Sequence, residues 1–172
     1  RQMCIRDRLN TYESRAVSIR ESEVLSQAKI LANKISTSKY FDKDGSDLSN
    51  IDAQIDTLTT IYEGRVLIVD KHFKIIKDTY NLDDGNTIVS EEVIKTFSAS
   101  EITNYDSKNH YIELSVPISN PNDKDSKIEG ALVVSVSTDN ISLNMSYLTQ
   151  IAVTVAIIAG AVVLFFLSLI HI

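Results

Sequence analysis

The chain has no tryptophan, one cysteine (Cys4), two prolines and five widely separated glycines. A single cysteine excludes an internal disulfide and a thiolate zinc site within the chain. The scattered glycines leave no phosphate-cradling loop, and no serine has the flanking glycines of a nucleophile elbow. We therefore expect no catalytic residue, no cofactor and no metal site in this chain.

Positive charge is also scarce. The 23 acidic residues outnumber the 17 lysines and arginines, which gives a formal net charge of −6. Proteins that bind nucleic acid need a basic surface to meet the phosphates. The composition therefore argues against nucleic acid as a partner.

What the chain does have is an uncharged run, IAVTVAIIAGAVVLFFLSLI, from Ile151 to Ile170. Its residues, at about 1.5 Å each, extend about 30 Å, the thickness of a bilayer's hydrocarbon core. A soluble core helix rarely needs apolar residues on every face for this length. The run predicts a transmembrane helix over residues 150–170 that anchors a water-soluble domain of residues 9–149. The alternative is a buried helix of a soluble protein.

The flanks of this run bear on orientation. Between Gly130 and Gln150 there is neither lysine nor arginine. Because cytoplasmic flanks of transmembrane helices carry an excess of these residues, we expect the soluble domain to be extracytoplasmic and the protein to lie in the cell membrane.

The two ends of the chain, RQMCIRDR and LSLIHI, resemble translated sequencing-adapter read-through. We therefore expect residues 1–8 to be a non-native end and residues 171–172 a truncated end. The alternative is a genuine basic N-terminus.

Helical periodicity covers residues 9–36 without glycine or proline and predicts a long first helix. The apolar stripe of this helix comprises Val17, Val24, Ala28, Leu31 and Ile35. A second amphipathic helix is predicted from about Ile51 to Tyr62, ending near Gly64.

Between the two helices, residues 41–50 carry three aspartates around Gly45. The spacing does not fit a calcium loop, because Ile51 stands where the loop needs glutamate. We predict a turn here, with Asp47 or Ser49 as the N-cap of the second helix.

Past Gly64 the sequence period changes. The run Val66–Val69, the turn that follows it and the alternation from Phe73 to Thr79 predict a β-hairpin. Ser90 is expected to cap a short helix with two glutamates in its first turn. Strands are predicted over residues 111–118 and 128–137, and then Thr138 or Asp139 is expected to cap the helix that enters the membrane. The predicted fold class is α+β around an antiparallel sheet.

These segments resemble a known family. The strand-turn-strand RVLIVDKHFKIIKDT, then YIELSVPIS, then KIEGALVVSVSTDNI before a membrane helix, is similar to the extracytoplasmic PAS-like (Cache or PDC type) sensor domains of bacterial sensor histidine kinases. The similarity covers residues 12–170. Its marks are Val69-Asp70, Val116-Pro117-Ile118 and Gly130, and a glycine usual in the first hairpin turn is replaced by Phe73.

The resemblance implies a five-stranded sheet, a long N-terminal helix that continues a first membrane helix, and a homodimer. It also implies cytoplasmic HAMP and histidine kinase parts beyond Ile172, so that the parent protein would be an enzyme while this segment is not catalytic. Chemoreceptors and diguanylate cyclases use the same outer domains. A membrane-anchored structural or adhesive protein without an output domain is the remaining alternative.

In folds of this type the ligand pocket lies on the sheet face that the loops cover. Residues near those strand ends are the candidate ligand contacts: Arg65, Lys77, Tyr80, His110 and Tyr111. The two cations would hold an anionic ligand and the tyrosines would form its walls. The stimulus is expected to be a small molecule, an ion or a partner protein. The alternative for each residue is an ordinary polar position at a strand edge.

Overall fold

The computed structural model describes residues 2–38, 40–41, 48–98, 100–119 and 127–171. The predicted turn around Gly45, with Asp47 as a possible cap, lies outside the described residues, as does most of the polar linker at 120–127. The elements in chain order are α1 (Gln2–Thr37), α2 (Leu48–Tyr62), β1 (Gly64–Asp70), β2 (Ile75–Asp78), α3 (Glu91–Thr96), β3 (Ile102–Asp106), β4 (Tyr111–Ser119), β5 (Ile128–Ser137) and α4 (Asp139–His171). The predicted α+β class is confirmed.

The chain divides into two compact units. One comprises Arg1–Val17 with Asp139–Ile172, and the other comprises Ser18–Thr138. In the first unit, the stretch Asp139–Leu169 of α4 is long and apolar enough to cross a membrane, and its most apolar 18-residue window has a mean hydropathy of 2.7. None of its most apolar stretch is buried, unlike the core helix of a soluble protein.

The second unit contains a five-stranded antiparallel sheet in the order β2-β1-β5-β4-β3. The strand β5 is central, because it pairs with β1 over Gly64–Asp70 and with β4 over its whole length. The apolar run Val66–Val69 of β1 contributes side chains to both faces of the sheet, because successive side chains of a strand point to opposite sides.

One face of the sheet packs against α1 and α2. Val66, Ile68 and Leu132 belong to its core, together with Ile35 of α1 and Ile55 of α2. All five residues of the predicted α1 stripe are buried, which confirms the helical periodicity. We call this side the α2 face.

The other face packs against α3. Leu67, Val69 and Val133 form its core with Val93 of α3, and Phe97 packs against this cluster. Helix α3 begins as predicted, because the Ser90 side chain accepts a hydrogen bond from the Val93 backbone N–H (3.2 Å). We call this side the α3 face.

Two of the strands differ from what the sequence periodicity predicts. Phe73 is not in β2 but in the hairpin turn with φ 61°, in the left-handed region that favours glycine. Its ring packs on Phe97 with centroids 4.9 Å apart, and this contact offsets the backbone strain. The strand Ile102–Asp106 was not predicted from the pattern, because this short edge strand is only partly buried on both faces.

Pro117 lies inside β4, a strand with neighbours on both sides. Proline cannot donate a ladder hydrogen bond and is expected at strand ends or edges. The pairing with β3 ends at Ser115, and Pro117 faces only Ala131 of β5. The position is therefore locally an edge, where proline is tolerated.

Candidate functional site

The loop after β2 is organised around Asp78, whose side chain is fully buried. Its two carboxylate oxygens accept hydrogen bonds from the backbone N–H groups of Tyr80 (3.0 Å), Leu82 (2.9 Å) and Asp83 (3.0 Å). The backbone N–H of Asp78 in turn donates to Asp84 Oδ1 (2.6 Å). One carboxylate thereby fixes the first turn of the loop, which the sequence shows only as a polar stretch.

Arg65 on β1 completes this arrangement. Its Nε and Nη2 donate to the two carboxylate oxygens of Asp78 at 2.9 and 2.6 Å, and Nη2 also lies 2.7 Å from Asp83 Oδ2. The hydrogen bond from Arg65 holds the pKa of Asp78 well below its usual range, and the same bond raises the pKa of Arg65. The guanidinium stacks over the Tyr80 ring, 5.8 Å from its centroid.

The structure therefore brings Arg65 and Tyr80 together, but it engages the guanidinium with two carboxylates of the chain. An anionic ligand would have to compete with a bidentate, fully buried acceptor. The predicted role of Arg65 in ligand binding stays a prediction, whereas its role in holding the β2 loop is observed.

Lys77 lies on the opposite side of the sheet. It pairs with Ile68 in the ladder, and Ile68 belongs to the α2-face core. Its Nζ lies 3.6 Å from Asp52 Oδ1 of α2, and Asp52 also accepts a hydrogen bond from Tyr40 (3.0 Å). The structure thus separates Lys77 from Arg65 by the thickness of the sheet.

His110 and Tyr111 lie where β4 begins. Asp106 closes the preceding turn by accepting hydrogen bonds from the backbone N–H groups of Lys108 and Asn109. His110 follows with φ 52°, and its carbonyl accepts a hydrogen bond from the Thr138 backbone N–H (2.7 Å). The buried His110 Nδ1 and Thr138 Oγ1 have no hydrogen-bond partner among the described residues.

The α3 face carries a row of four polar side chains, of which the sequence analysis predicted only Arg65 as a ligand contact. In the ladder, Arg65 of β1 pairs with Ser135 of β5, Ser135 with Glu113 of β4, and Glu113 with Asn104 of β3. Adjacent strands lie about 4.8 Å apart, so neighbouring members of this row are within reach of one small ligand. Their alternation with Ile112 and Leu114 is visible in the sequence, whereas their alignment across four strands depends on the register.

Glu113 is the charged member of this row that lacks a counter-ion among the described residues. Burial raises the pKa of its carboxyl group, and the neighbouring Glu92 of α3 raises it further. Two residues along the same strand face, Ser115 is completely buried and its hydroxyl has no hydrogen-bond partner within the described part of the chain. A half-buried carboxylate beside an unsatisfied hydroxyl is typical of a ligand site rather than of a packed core.

Replacing Glu113 with glutamine is expected to raise the free energy of unfolding at neutral pH by about 0.5–1 kcal/mol, because it removes a poorly solvated charge while keeping the side-chain shape. Since the folded-state pKa is raised, the ionised carboxylate costs stability at pH values above it. The advantage of Glu113→Gln should shrink as the pH falls through the raised pKa and be absent below about 4.5. Urea unfolding of both proteins across this pH range measures it. Equal stabilities at neutral pH would contradict it.

The structure also has two shallow grooves between α1 and α2. One has a volume of about 210 Å³ beside Lys34 and Asn50, and the other has about 230 Å³ between Ile30 and Ile61. Neither groove reaches the α3 face. Among the described residues there is no group of three or more His, Cys, Asp or Glu side chains placed to hold a metal ion.

Comparison with known proteins rests on structure, because no protein-family model and no curated protein matches the chain. The extracellular ligand binding receptor from Desulfohalobium retbaense is similar with a TM-score of 0.59 at 16% identity, over 78% of this chain and 25% of that one. The ligand-binding domain of the Campylobacter jejuni chemoreceptor Tlp3, solved in complex with L-valine, gives a TM-score of 0.52 at 17% identity, over 80% of this chain and 59% of that one. The V. cholerae histidine kinase DctB sensor domain has a TM-score of only 0.45 at 18% identity, over 80% of this chain and 58% of that one.

The chain spans a quarter of the Desulfohalobium retbaense receptor and about three fifths of the Tlp3 domain. At these identities the similarity concerns the fold. The described residues have the fold of extracellular ligand-binding domains of the Cache/PAS-like type, as the resemblance in sequence predicted.

Proposed function

We propose that this chain is the sensory input domain and membrane anchor of a signal-transducing receptor. The observation that carries the proposal is the position of β5. This central strand contacts both β1 and β4 and ends at Ser137, and α4 begins two residues later at Asp139. A ligand that alters the sheet would therefore act on the strand that leads directly into the apolar helix.

The fold supports the proposal, because two of the similar solved structures, both with TM-scores above 0.5, are an extracellular ligand-binding receptor and a chemoreceptor domain. The output is proposed to be a two-component sensor histidine kinase whose HAMP and kinase parts follow Ile172. A chemoreceptor output is the second candidate, favoured by the similarity to the Tlp3 domain. The proposed stimulus is a small molecule, as L-valine is in that complex.

We also propose where the soluble domain and the apolar helix lie in the cell. We place residues 9–149 outside the cytoplasm, with residues 150–170 in the cell membrane, since no lysine or arginine lies between Gly130 and Gln150. The apolar composition and exposure of α4 support membrane anchoring.

We propose a homodimer as the working state. In the Ser18–Thr138 unit, Ile19 and Ile30 of α1 are 60% and 48% exposed. They lie eleven residues apart, which is close to three helical turns, on the side opposite the buried stripe. These two exposed isoleucines would contact a second copy of the same helix in the proposed dimer.

A Gly-Gly-Ser spacer inserted after Ser142 is expected to uncouple the sensor from its output in the receptor restored beyond Ile172. The stretch Ser137–Gln150 contains neither glycine nor proline, so it can transmit a displacement that a flexible spacer would absorb. The measurement is the change in output caused by Asp78→Ala, which perturbs the sensor without requiring a known ligand. This change should be present in the restored receptor and lost with the spacer.

The matched control places the same spacer after Val89, in an exposed loop where added length is tolerated. Coupling should survive there. Retained coupling with the spacer after Ser142 would contradict the mechanism. Reading the gene past Ile172 separates the remaining alternatives, because HAMP-like helices support a receptor, whereas a stop codon favours an anchored structural or adhesive protein.

A further inference from the structure

The α3 face combines acidic groups with hydroxyls in one place. We define the carboxylate–hydroxyl cluster as Glu92, Glu113, Ser115 and Ser135. Glu113 and Ser135 are directly paired across β4 and β5, and Ser115 follows Glu113 on the same strand face. Helix α3 packs against β4 and β5 on this side and brings Glu92 close enough to influence Glu113.

Among the described residues, no cation forms an ion pair with Glu113 or Glu92. Arg65, the next residue in the row, is held by Asp78 and Asp83. Lys95 of α3 forms an exposed ion pair with Glu91, 2.5 Å apart. Lys77 lies on the α2 face. Lys95 also attracts Glu92 electrostatically, but its ion pair is with Glu91, so Glu113 has no ion-pair partner among these three cations.

A second, independent observation points to a ligand. The hydroxyl of Ser115 is completely buried without a hydrogen-bond partner among the described residues. An unsatisfied buried hydroxyl costs stability, on the order of 1–3 kcal/mol, and a bound polar group would recover this cost. The hydroxyl lies on the strand face that carries Glu113, two residues further along β4.

We propose that the carboxylate–hydroxyl cluster binds the protonated amino group of a small ligand. An ammonium group has three donors and no acceptor, which matches an ionised carboxylate with serine hydroxyls beside it. A carboxylate ligand would instead place a third negative charge beside Glu92 and Glu113. This inference rests on the proposed sensory function, and it replaces the anionic ligand expected from Arg65 and Lys77 with a cationic one.

The test measures thermal unfolding of the full chain in detergent micelles with defined probes. The amines are n-butylamine, ethanolamine and 1,4-diaminobutane; the matched anions are butyrate and succinate; calcium chloride is the metal probe. We expect at least one amine to raise the unfolding midpoint, because a ligand that binds only the folded state stabilises it. The anions and calcium should have no effect.

Glu113→Gln is expected to weaken amine binding about 10- to 100-fold, since it converts a charge-assisted hydrogen bond to a neutral one. Its folding is not at risk, because the substitution removes a poorly solvated charge. The control is Glu91→Gln, which alters an exposed carboxylate of α3 that already pairs with Lys95. This variant changes the net charge equally and should bind amines as the parent chain does.

A midpoint raised by butyrate or succinate but by no amine would overturn the inference, as would a rise with calcium alone or with none of the probes. Equal loss of amine binding in both variants would also overturn it, because it would indicate a general charge effect. The spacer experiment is independent of these results. A receptor that loses coupling with the spacer but ignores amines keeps its sensory function and loses only this ligand class.

Discussion

Replacing Asp78 with alanine is expected to lower the free energy of unfolding by about 3–5 kcal/mol, the range for breaking one partner of a buried ion pair. The substitution leaves the Arg65 guanidinium with only the exposed Asp83, and it removes the acceptor for three backbone N–H groups. Urea unfolding of the full chain in micelles, followed by circular dichroism, measures the loss.

The control is Asp83→Ala, which removes the second carboxylate bound to the same guanidinium. The Asp83 side chain is 46% exposed, so water replaces it and a much smaller loss is expected. The pH dependence of the stability is a second check on the contribution of Asp78. Because the pKa of Asp78 is lowered on folding, its contribution is complete above about 3.8 and is lost as the pH falls through the lowered value. Similar losses in the two variants would show that Asp78 does not hold the loop.

Gly130→Ala is the second substitution with a large expected effect, a loss of about 2–3 kcal/mol from overpacking. A Cβ atom on Gly130 would overlap the carbonyl oxygen of Val69 and approach the Phe41 ring to 2.6 Å. The first obstacle is backbone of the paired strand β1 and cannot rotate away. The expected result is therefore a lower urea midpoint, with weakened pairing at the end of β1 and β5.

A double-mutant cycle with Phe41→Ala separates the two obstacles. If the backbone clash dominates, Gly130→Ala costs almost as much without the ring as with it. If the ring dominates, the cost largely disappears in the double variant. An unchanged midpoint for Gly130→Ala in the otherwise intact chain would refute the close approach of β5 to Val69.

The two predictions concern parts of the sheet that frame the α3 face without belonging to the carboxylate–hydroxyl cluster. Asp78 and Arg65 hold the loop at one end of the polar row, and Gly130 allows the central strand to lie close to β1. Glu113→Gln is expected to act in the opposite direction and stabilise the fold. The groups that hold the scaffold are therefore expected to stabilise the fold, whereas Glu113 of the cluster is expected to destabilise it. We expect this contrast for a ligand site embedded in a scaffold.

Local patterns in the sequence determined the elements. The heptad-like stripe from Val17 to Ile35, the cap at Ser90 and the apolar run Val66–Val69 each depend on neighbours within a few residues, and each was confirmed. The uncharged run Ile151–Ile170 likewise predicted α4, because a helix long enough to span a bilayer is recognised from its length and hydropathy alone. The edge strand Ile102–Asp106 was not predicted. Its apolar and polar residues alternate weakly, and the strand depends on pairing with β4.

Only the tertiary structure decided which polar residues meet. Arg65 and Lys77 were equivalent as cations near strand ends, yet the register places one on the α3 face against Asp78 and the other on the α2 face near Asp52. Glu113 and Ser135 lie 22 positions apart in sequence and become partners because β4 pairs with β5 at one register. Shifting a strand by one residue moves every side chain to the other face, and the long-range pairing that sets the register is not encoded in any short segment.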